Sequence, residues 1–337
     1  MTEKKTIKKS SLDGLFKALK SGGKRVLAPV EGNGRTIFRE VDSYGDVASG
    51  YIQTTLSAKD ALLPRCEEML RFRTEQSTVA MEQGPPAPAP TVVFGIRPCD
   101  AKSLAVLNAV YLKDYNDELY RARAEATAVI AVSCTSCDEY CFCTSVGGSP
   151  GDTTGSDILL TEIDGDTFLA EIVTEKGTAL VAMAPDLFAA AADSAAGKQL
   201  ADVKVQFDLK ELEKKLPGSF EGPVWIAQSL RCIGCGTCSY VCPACTCFDV
   251  QDETEANRGM RLRCWDSCGL GIFTLHTSGH NPRDVQSQRW RQRIMHKFSY
   301  QPDQLSVVGC VGCGRCSRAC PVDMNILQHI KDIVEAR

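Results

Sequence analysis

The sequence predicts a mixed architecture: an α/β (α+β) domain with a βαβ unit over residues 1–220, then a mainly α-helical part over residues 221–337. Three observations lead there. Two β-branched runs, Thr91–Ile96 and Thr127–Val132, bracket a helical pattern at residues 100–111, and such a crossover makes the flanking strands parallel. The 18 cysteines are unevenly spread, with one before residue 99, five over 99–143, none over 144–231 and twelve over 232–320. Residues 324–334 place Ile326, Leu327, Ile330 and Ile333 on one helical face.

In chain order, the first element is an amphipathic helix with Leu12, Leu15, Phe16 and Leu19 as its apolar face. Strand-like runs follow at 25–30 and 36–41, and the proline-rich residues 84–90 form a stiff extended loop. Cys99 falls just past the first strand of the βαβ unit and Cys134 just past the second. Both therefore lie at the carboxyl edge of the sheet, where open α/β folds place their ligands. Residues 157–163 and 166–172 around Asp164-Gly165 predict a hairpin. An alanine-rich helical region comes next, and residues 209–216, capped by Asp208 and stopped by Pro217-Gly218, close the domain.

The chain has 337 residues, enough for two buried cores, with 38 Lys+Arg against 42 Asp+Glu. A net charge of −4 gives no reason to expect nucleic acid as a partner. The most apolar stretch, residues 178–197, is broken by Pro185, Asp186 and Asp193, so no membrane insertion is expected. The start, Met1-Thr2-Glu3-Lys4-Lys5, has no apolar run behind its charges. The expectation is a cytoplasmic protein whose thiols meet a reducing environment and serve as metal ligands rather than disulfides.

The decisive motif occurs twice, as Cys232-x2-Cys235-x2-Cys238-x3-Cys242-Pro243 and Cys310-x2-Cys313-x2-Cys316-x3-Cys320-Pro321. This is the bacterial ferredoxin spacing, in which three cysteines hold one cubane and the fourth reaches the other. It makes the second part a ferredoxin-like two-cluster domain. It assigns Cys232, Cys235, Cys238 and Cys320 to one 4Fe–4S cluster, and Cys310, Cys313, Cys316 and Cys242 to another. Structural zinc pairs two Cys-x2-Cys knuckles or mixes in histidine, a different pattern.

With these motifs the sequence resembles the dicluster iron–sulfur family of the anaerobic sulfite reductase A subunit and the (sulf)hydrogenase beta subunit. The resemblance spans residues 12–330. It is carried by Leu56-Ser57-Ala58-Lys59-Asp60 with Leu63-Pro64, Gly95-Ile96-Arg97-Pro98-Cys99-Asp100, and Cys134 with Cys141-Phe142-Cys143-Thr144-Ser145 and Gly147. Further on it includes Cys245-Thr246-Cys247-Phe248-Asp249-Val250, Trp265-Asp266-Ser267-Cys268, Gly279-His280-Asn281, and Arg291-Gln292-Arg293 with His296-Lys297-Phe298. The resemblance implies an electron-carrying subunit that works with a flavin- and NAD(P)-binding reductase subunit and a catalytic redox subunit. The latter would be a hydrogenase, a sulfite reductase or a heterodisulfide reductase-like protein.

The resemblance also implies a third cluster at Cys99, Cys134, Cys141 and Cys143, which the βαβ geometry would bring together. Cys137 opens a rival set of Cys134, Cys137, Cys141 and Cys143. In the insert 245–300, Cys245, Cys247, Cys264 and Cys268 form either an extra metal site or thiols packed around the cubanes. Cys66 reads as a small thiol without a partner.

No flavin or NAD(P) site of its own is expected. Gly32-Asn33-Gly34 lacks the third glycine and the helix of a dinucleotide fold, and no phosphate-binding Gly-x4-Gly-Lys loop occurs. Histidines 276, 280, 296 and 329 read as hydrogen-bonding or surface residues. The basic group Arg289, Arg291, Arg293 and Lys297 reads as a solvated helix face, a docking surface, or charge that raises a cluster potential, and Arg231, Arg315 and Arg318 abut ligands. The expected function is one-electron relay. The alternative is reduction of a small sulfur substrate at a cluster with a labile iron.

Overall fold

The computed structural model describes residues 3–82, 84–192, 197 and 199–335. Its strands are β1 (Glu3–Lys8), β2 (Arg25–Gly32), β3 (Arg35–Glu40), β4 (Cys66–Glu75), β5 (Thr78–Met81), β6 (Thr91–Ile96), β7 (Thr127–Val132), β8 (Ile158–Glu162), β9 (Thr167–Ile172), β10 (Phe188–Ala190), β11 (Phe248–Glu255) and β12 (Arg258–Trp265). Eight of them form one sheet in the order β10-β1-β9-β8-β7-β6-β2-β3. The central strands β2, β6, β7 and β8 pair in parallel, as the βαβ pattern requires, and the outer pairings are antiparallel.

All six residues of β6 are buried, the signature of a central parallel strand covered on both faces. Val92 and Phe94 pack with Leu12, Leu15, Phe16 and Leu19 of the helix Leu12–Ser21 on one face. Val93 and Val129 meet Ala58 and Ala101 on the other. The helix Pro98–Tyr111 makes the crossover, and a second helix, Glu118–Ala126, precedes β7. Asn33 and Gly34, both at positive φ, turn β2 into β3, so the short glycine motif is a hairpin turn. Part of the alanine-rich region, residues 193–196 and 198, lies outside the described residues; its described portion holds the helix Glu175–Ala182 and β10.

The end of β6 carries the local device that serves the site. The pairing with β7 slips between Phe94 and Ile96, and Gly95 has φ +76°. A Cβ there would lie 3.1 Å from Pro29 Cδ. Such a bulge turns the strand sharply, and Cys99 follows in the first turn of the next helix.

The C-terminal part has a second apolar core. Trp225, Trp290, Ile294, Phe298, Ile326, Leu327, Ile330 and Ile333 pack together, and Phe207, Leu212 and Leu216 join from before residue 220. Phe142 and Val146 join from the cysteine loop of the first domain.

The insert differs from a mainly helical expectation. β11 and β12 form a hairpin that extends β4 and β5 into a four-stranded antiparallel sheet, β11-β12-β4-β5. These strands are rich in charge, and every residue of β11 is exposed, so no apolar run marks them. Arg263 on β12 pairs with Glu67 on β4 and with Asp117, the N-cap of the helix Glu118–Ala126.

Candidate metal centres

The two ferredoxin-type runs fold alike. Each loop passes through two left-handed glycines, Gly234 and Gly236 or Gly312 and Gly314, and then opens a short helix, Thr237–Tyr240 or Arg315–Arg318. Cys232, Cys235, Cys238 and Cys320 line one cavity, and Cys268 of the insert lines it with them. Gln286 Nε2 donates to Cys232 Sγ at 3.0 Å and the Met324 N–H to Cys320 Sγ at 3.2 Å. Such donors favour anionic sulfur. Cys235 is the exposed member of the set.

The fourth cysteine of the first run lies with the second run. Cys242, Val311 and Cys313 are buried in one contact group. Lys297 Nζ donates to Cys242 Sγ at 3.4 Å and to the Gly309 carbonyl, one residue before Cys310, at 2.6 Å.

Cys99, Cys134, Cys137, Cys141 and Cys143 line a second cavity, together with Gly312 and Cys313. The fold thus gathers both alternative ligand sets. Gln53 Nε2 donates to Cys99 Sγ at 2.9 Å and Arg318 Nη2 to Cys141 Sγ at 3.3 Å, whereas the Cys137 thiol turns to the Asp202 carbonyl at 3.8 Å. Burial pushes the Cys141 thiol up to about 11 and that of Cys143 up to about 12, so bound metal is what would hold them as thiolates. The second run abuts this loop directly. A Cβ on Gly312 would lie 2.5 Å from the Cys143 nitrogen, and one on Gly314 would lie 2.5 Å from the Tyr140 carbonyl oxygen.

The insert requires a correction. Cys264 does not join Cys245, Cys247 and Cys268; it forms a disulfide with Cys66. The antiparallel register of β12 on β4 sets these two residues opposite each other, with Cα atoms 4.0 Å apart. Cys66 therefore has a partner, 198 positions away in sequence, and these two thiols are not metal ligands here.

The remaining insert thiols divide into two contacts, one of which reaches the first ferredoxin run. Cys247 and Cys268 are in side-chain contact, as are Cys242 and Cys245. The contact with Cys247 pulls the Cys268 thiol down to about 6. Among the described residues, no three His, Cys, Asp or Glu side chains close on a single metal ion. The donor set nevertheless fits clusters: cysteines line both cavities, and a buried donor, Arg293 Nε, has no partner of its own.

Comparison with known proteins agrees with this chemistry. The 4Fe-4S dicluster domain family matches residues 231–324. Sulfhydrogenase 2 subunit beta of Pyrococcus furiosus is 32% identical over 330 residues, which cover 96% of this chain and 95% of that protein. The chain belongs to the sulfhydrogenase beta-subunit family. It is an iron–sulfur electron-transfer subunit of the hydrogenase type and carries 4Fe–4S clusters. No solved structure matches it. Among the described residues no helix is long and apolar enough to cross a membrane.

The basic group before the second run is not one solvated face. Arg289 and Arg291 bond carbonyls near the surface, but Arg293 and Lys297 are each 3% exposed, so neither belongs to a solvated face. Lys59, 4% exposed, joins them from the first domain. The four-residue spacing of Arg289, Arg293 and Lys297 was the available signal, since it puts all three on one helical face. Nothing local marks Lys59 as buried.

Proposed function

We propose that the chain passes single electrons along three 4Fe–4S clusters arranged in sequence. The first is held by Cys232, Cys235, Cys238 and Cys320, the second by Cys242, Cys310, Cys313 and Cys316, and the third by Cys99, Cys134, Cys141 and Cys143. Cys313 carries the reading, because it belongs to the second run yet lines the cavity of the first-domain cysteines. Arg293 supports the other link: its Nη2 bonds the Cys238 carbonyl at 2.8 Å, and its charge acts on both Cys238 and Cys316. Cys99 is preferred over Cys137 because Gln53 already donates to its sulfur, while Cys137 faces a carbonyl.

Such clusters cycle by one electron, whereas NAD(P)H delivers a pair, so a flavin that divides the pair belongs on a partner subunit. The other end of the line serves a catalytic redox subunit, of hydrogenase, sulfite reductase or disulfide reductase type. The chain's own residues supply ligand placement, hydrogen bonds to sulfur and exclusion of water. In this reading it works in the cytoplasm, with short helices around the two ferredoxin runs of residues 221–337, the β11–β12 hairpin inserted between them, and the third cluster in residues 1–220.

The test is an anaerobic preparation of the native complex with iron and flavin counted per subunit. Three cubanes require about twelve iron atoms in this chain. A Cys313→Ser variant is expected to lose the second cluster's electron paramagnetic resonance signal and to stop electron flow between the partners. Full throughput in that variant overturns the proposal.

A further inference from the structure

Two insert thiols meet beside the first-run cavity and belong to none of the three ligand sets. The β11–β12 hairpin brings them there. Phe248 is paired with Trp265, and one position further out the Asp266 N–H donates to the Cys247 carbonyl at 3.0 Å. The chain then turns at Ser267, whose hydroxyl donates to the Gly236 carbonyl at 3.3 Å and accepts from the Gly269 N–H at 3.1 Å. That turn lays Cys268 against Cys247. The two side chains are in contact, and the Cys268 N–H also donates to Cys247 Sγ. Both are free thiols, and both are half-buried.

Cys268 lines the cavity formed by Cys232, Cys235, Cys238 and Cys320, whereas Cys247 does not. One member of the pair thus faces the first-run cluster site and the other stands behind it. Ser239, next to the ligand Cys238, connects them to the buried Arg293. Arg293 Nη1 donates to Ser239 Oγ at 3.4 Å, which leaves the hydroxyl proton for Cys268 Sγ, 3.7 Å away. A donor so placed favours charge on that sulfur. Two cysteines in contact interconvert between dithiol and disulfide, a change of two electrons. The clusters cycle by one electron each, so this pair is where the chain can hold two together.

We propose that Cys247 and Cys268 are a redox-active pair that exchanges two electrons with the first-run cluster. In the oxidised form an S–S bond joins Cys247 to Cys268. Two electrons, delivered singly through the first-run site, break that bond, and two protons from solvent complete the two thiols. The reverse has the same balance: the bond forms, two protons leave, and two electrons return one at a time. Ser239 is a positioning residue for the Cys268 sulfur. The Cys66–Cys264 disulfide is separate, because it lines neither cysteine cavity. The inference deepens the electron-transfer reading and rests on it, since the first-run cluster is the pair's electron source.

The experiment poises the native complex, isolated anaerobically, at a series of potentials with viologen mediators. Acid quenching and alkylation trap the thiols, and peptide mass spectrometry after cleavage at Asp266 separates Cys264 from Cys268. Paramagnetic resonance follows the clusters in the same samples. Oxidised protein with intact clusters is expected to yield a Cys247–Cys268 cross-link, and reduced protein the two alkylated residues. Their ratio should change tenfold for about 30 mV, the slope of a two-electron couple. Reduced viologen should open this pair and leave Cys66–Cys264 closed. A Cys247→Ser complex should keep the ferredoxin-run signals and take up two fewer electrons per chain. Free thiols at Cys247 and Cys268 at every potential overturn the proposal, as does equal opening of both disulfides. An electron uptake by Cys247→Ser equal to that of wild type also overturns it. The wild-type cross-link measurement stands however that variant folds. Failure of the electron-transfer reading is distinct, because it leaves ferredoxin-run clusters that excess reduced viologen does not reduce.

Discussion

Arg315 grips both carboxylate oxygens of Asp100 across 215 positions of sequence. Arg315 stands between Cys313 and Cys316, and Asp100 directly follows Cys99, so one ion pair ties the second ferredoxin run to the first-domain cysteine site. Both side chains are almost fully buried, and Thr54 accepts the remaining guanidinium bonds at 2.8 Å through its carbonyl and hydroxyl oxygens. Replacing Arg315 by Met leaves a buried carboxylate without its counter-charge, which should cost about 3–5 kcal/mol. Thermal unfolding of the anaerobic protein measures this. Removing both charges, in Asp100→Leu/Arg315→Met, should recover most of the loss, and an additive loss would refute the pairing.

The close approach at Gly312 makes a second prediction. With φ +64° and backbone atoms of residues 142 and 143 within 2.6 Å of any added Cβ, Gly312→Ala must move one cysteine loop off the other. A cost of about 1–3 kcal/mol is expected, together with loss of the first-domain cluster while the Cys232 run keeps its own. Gly218 has nothing within 4 Å, and Gly218→Ala should leave spectra and stability nearly unchanged.

The disulfide separates structural from metal-binding thiols. A Cys66→Ala/Cys264→Ala protein should contain as much iron as the wild type. In oxidised material it should lose about 2–4 kcal/mol of stability, read from denaturant unfolding. A loss of iron would return Cys264 to the ligands.

Lys297 donates a charge-assisted hydrogen bond to Cys242 Sγ, and such a bond favours the more negative, reduced cluster. Lys297→Met should therefore lower the midpoint potential of the second-run cluster. If the lost bond was worth about 1.4 kcal/mol more to the reduced form, the fall is about 59 mV for one electron. A redox titration followed by paramagnetic resonance decides it, and an unmoved or raised potential contradicts the assignment.

Local chemistry made much of this readable in advance. The spacing of each ferredoxin run is short because three thiolates must wrap one cluster, and that constraint is written in consecutive residues. The same holds for the helix bearing Leu12, Leu15, Phe16 and Leu19, all buried, and for the parallel strands β6 and β7, whose apolar β-branched runs need no partner to be recognised.

What only the tertiary structure decided are relationships between distant segments. The register of β4 against β12 paired Cys66 with Cys264. The packing of residues 140–143 on Gly312 and Gly314 brought the first-domain cysteines to the second run. The burial of Lys59, Arg293 and Lys297 turned three ordinary basic residues into counter-charges. Periodicity and spacing report on neighbours within a few residues, whereas burial and long-range pairing depend on which surface the folded chain lays against another.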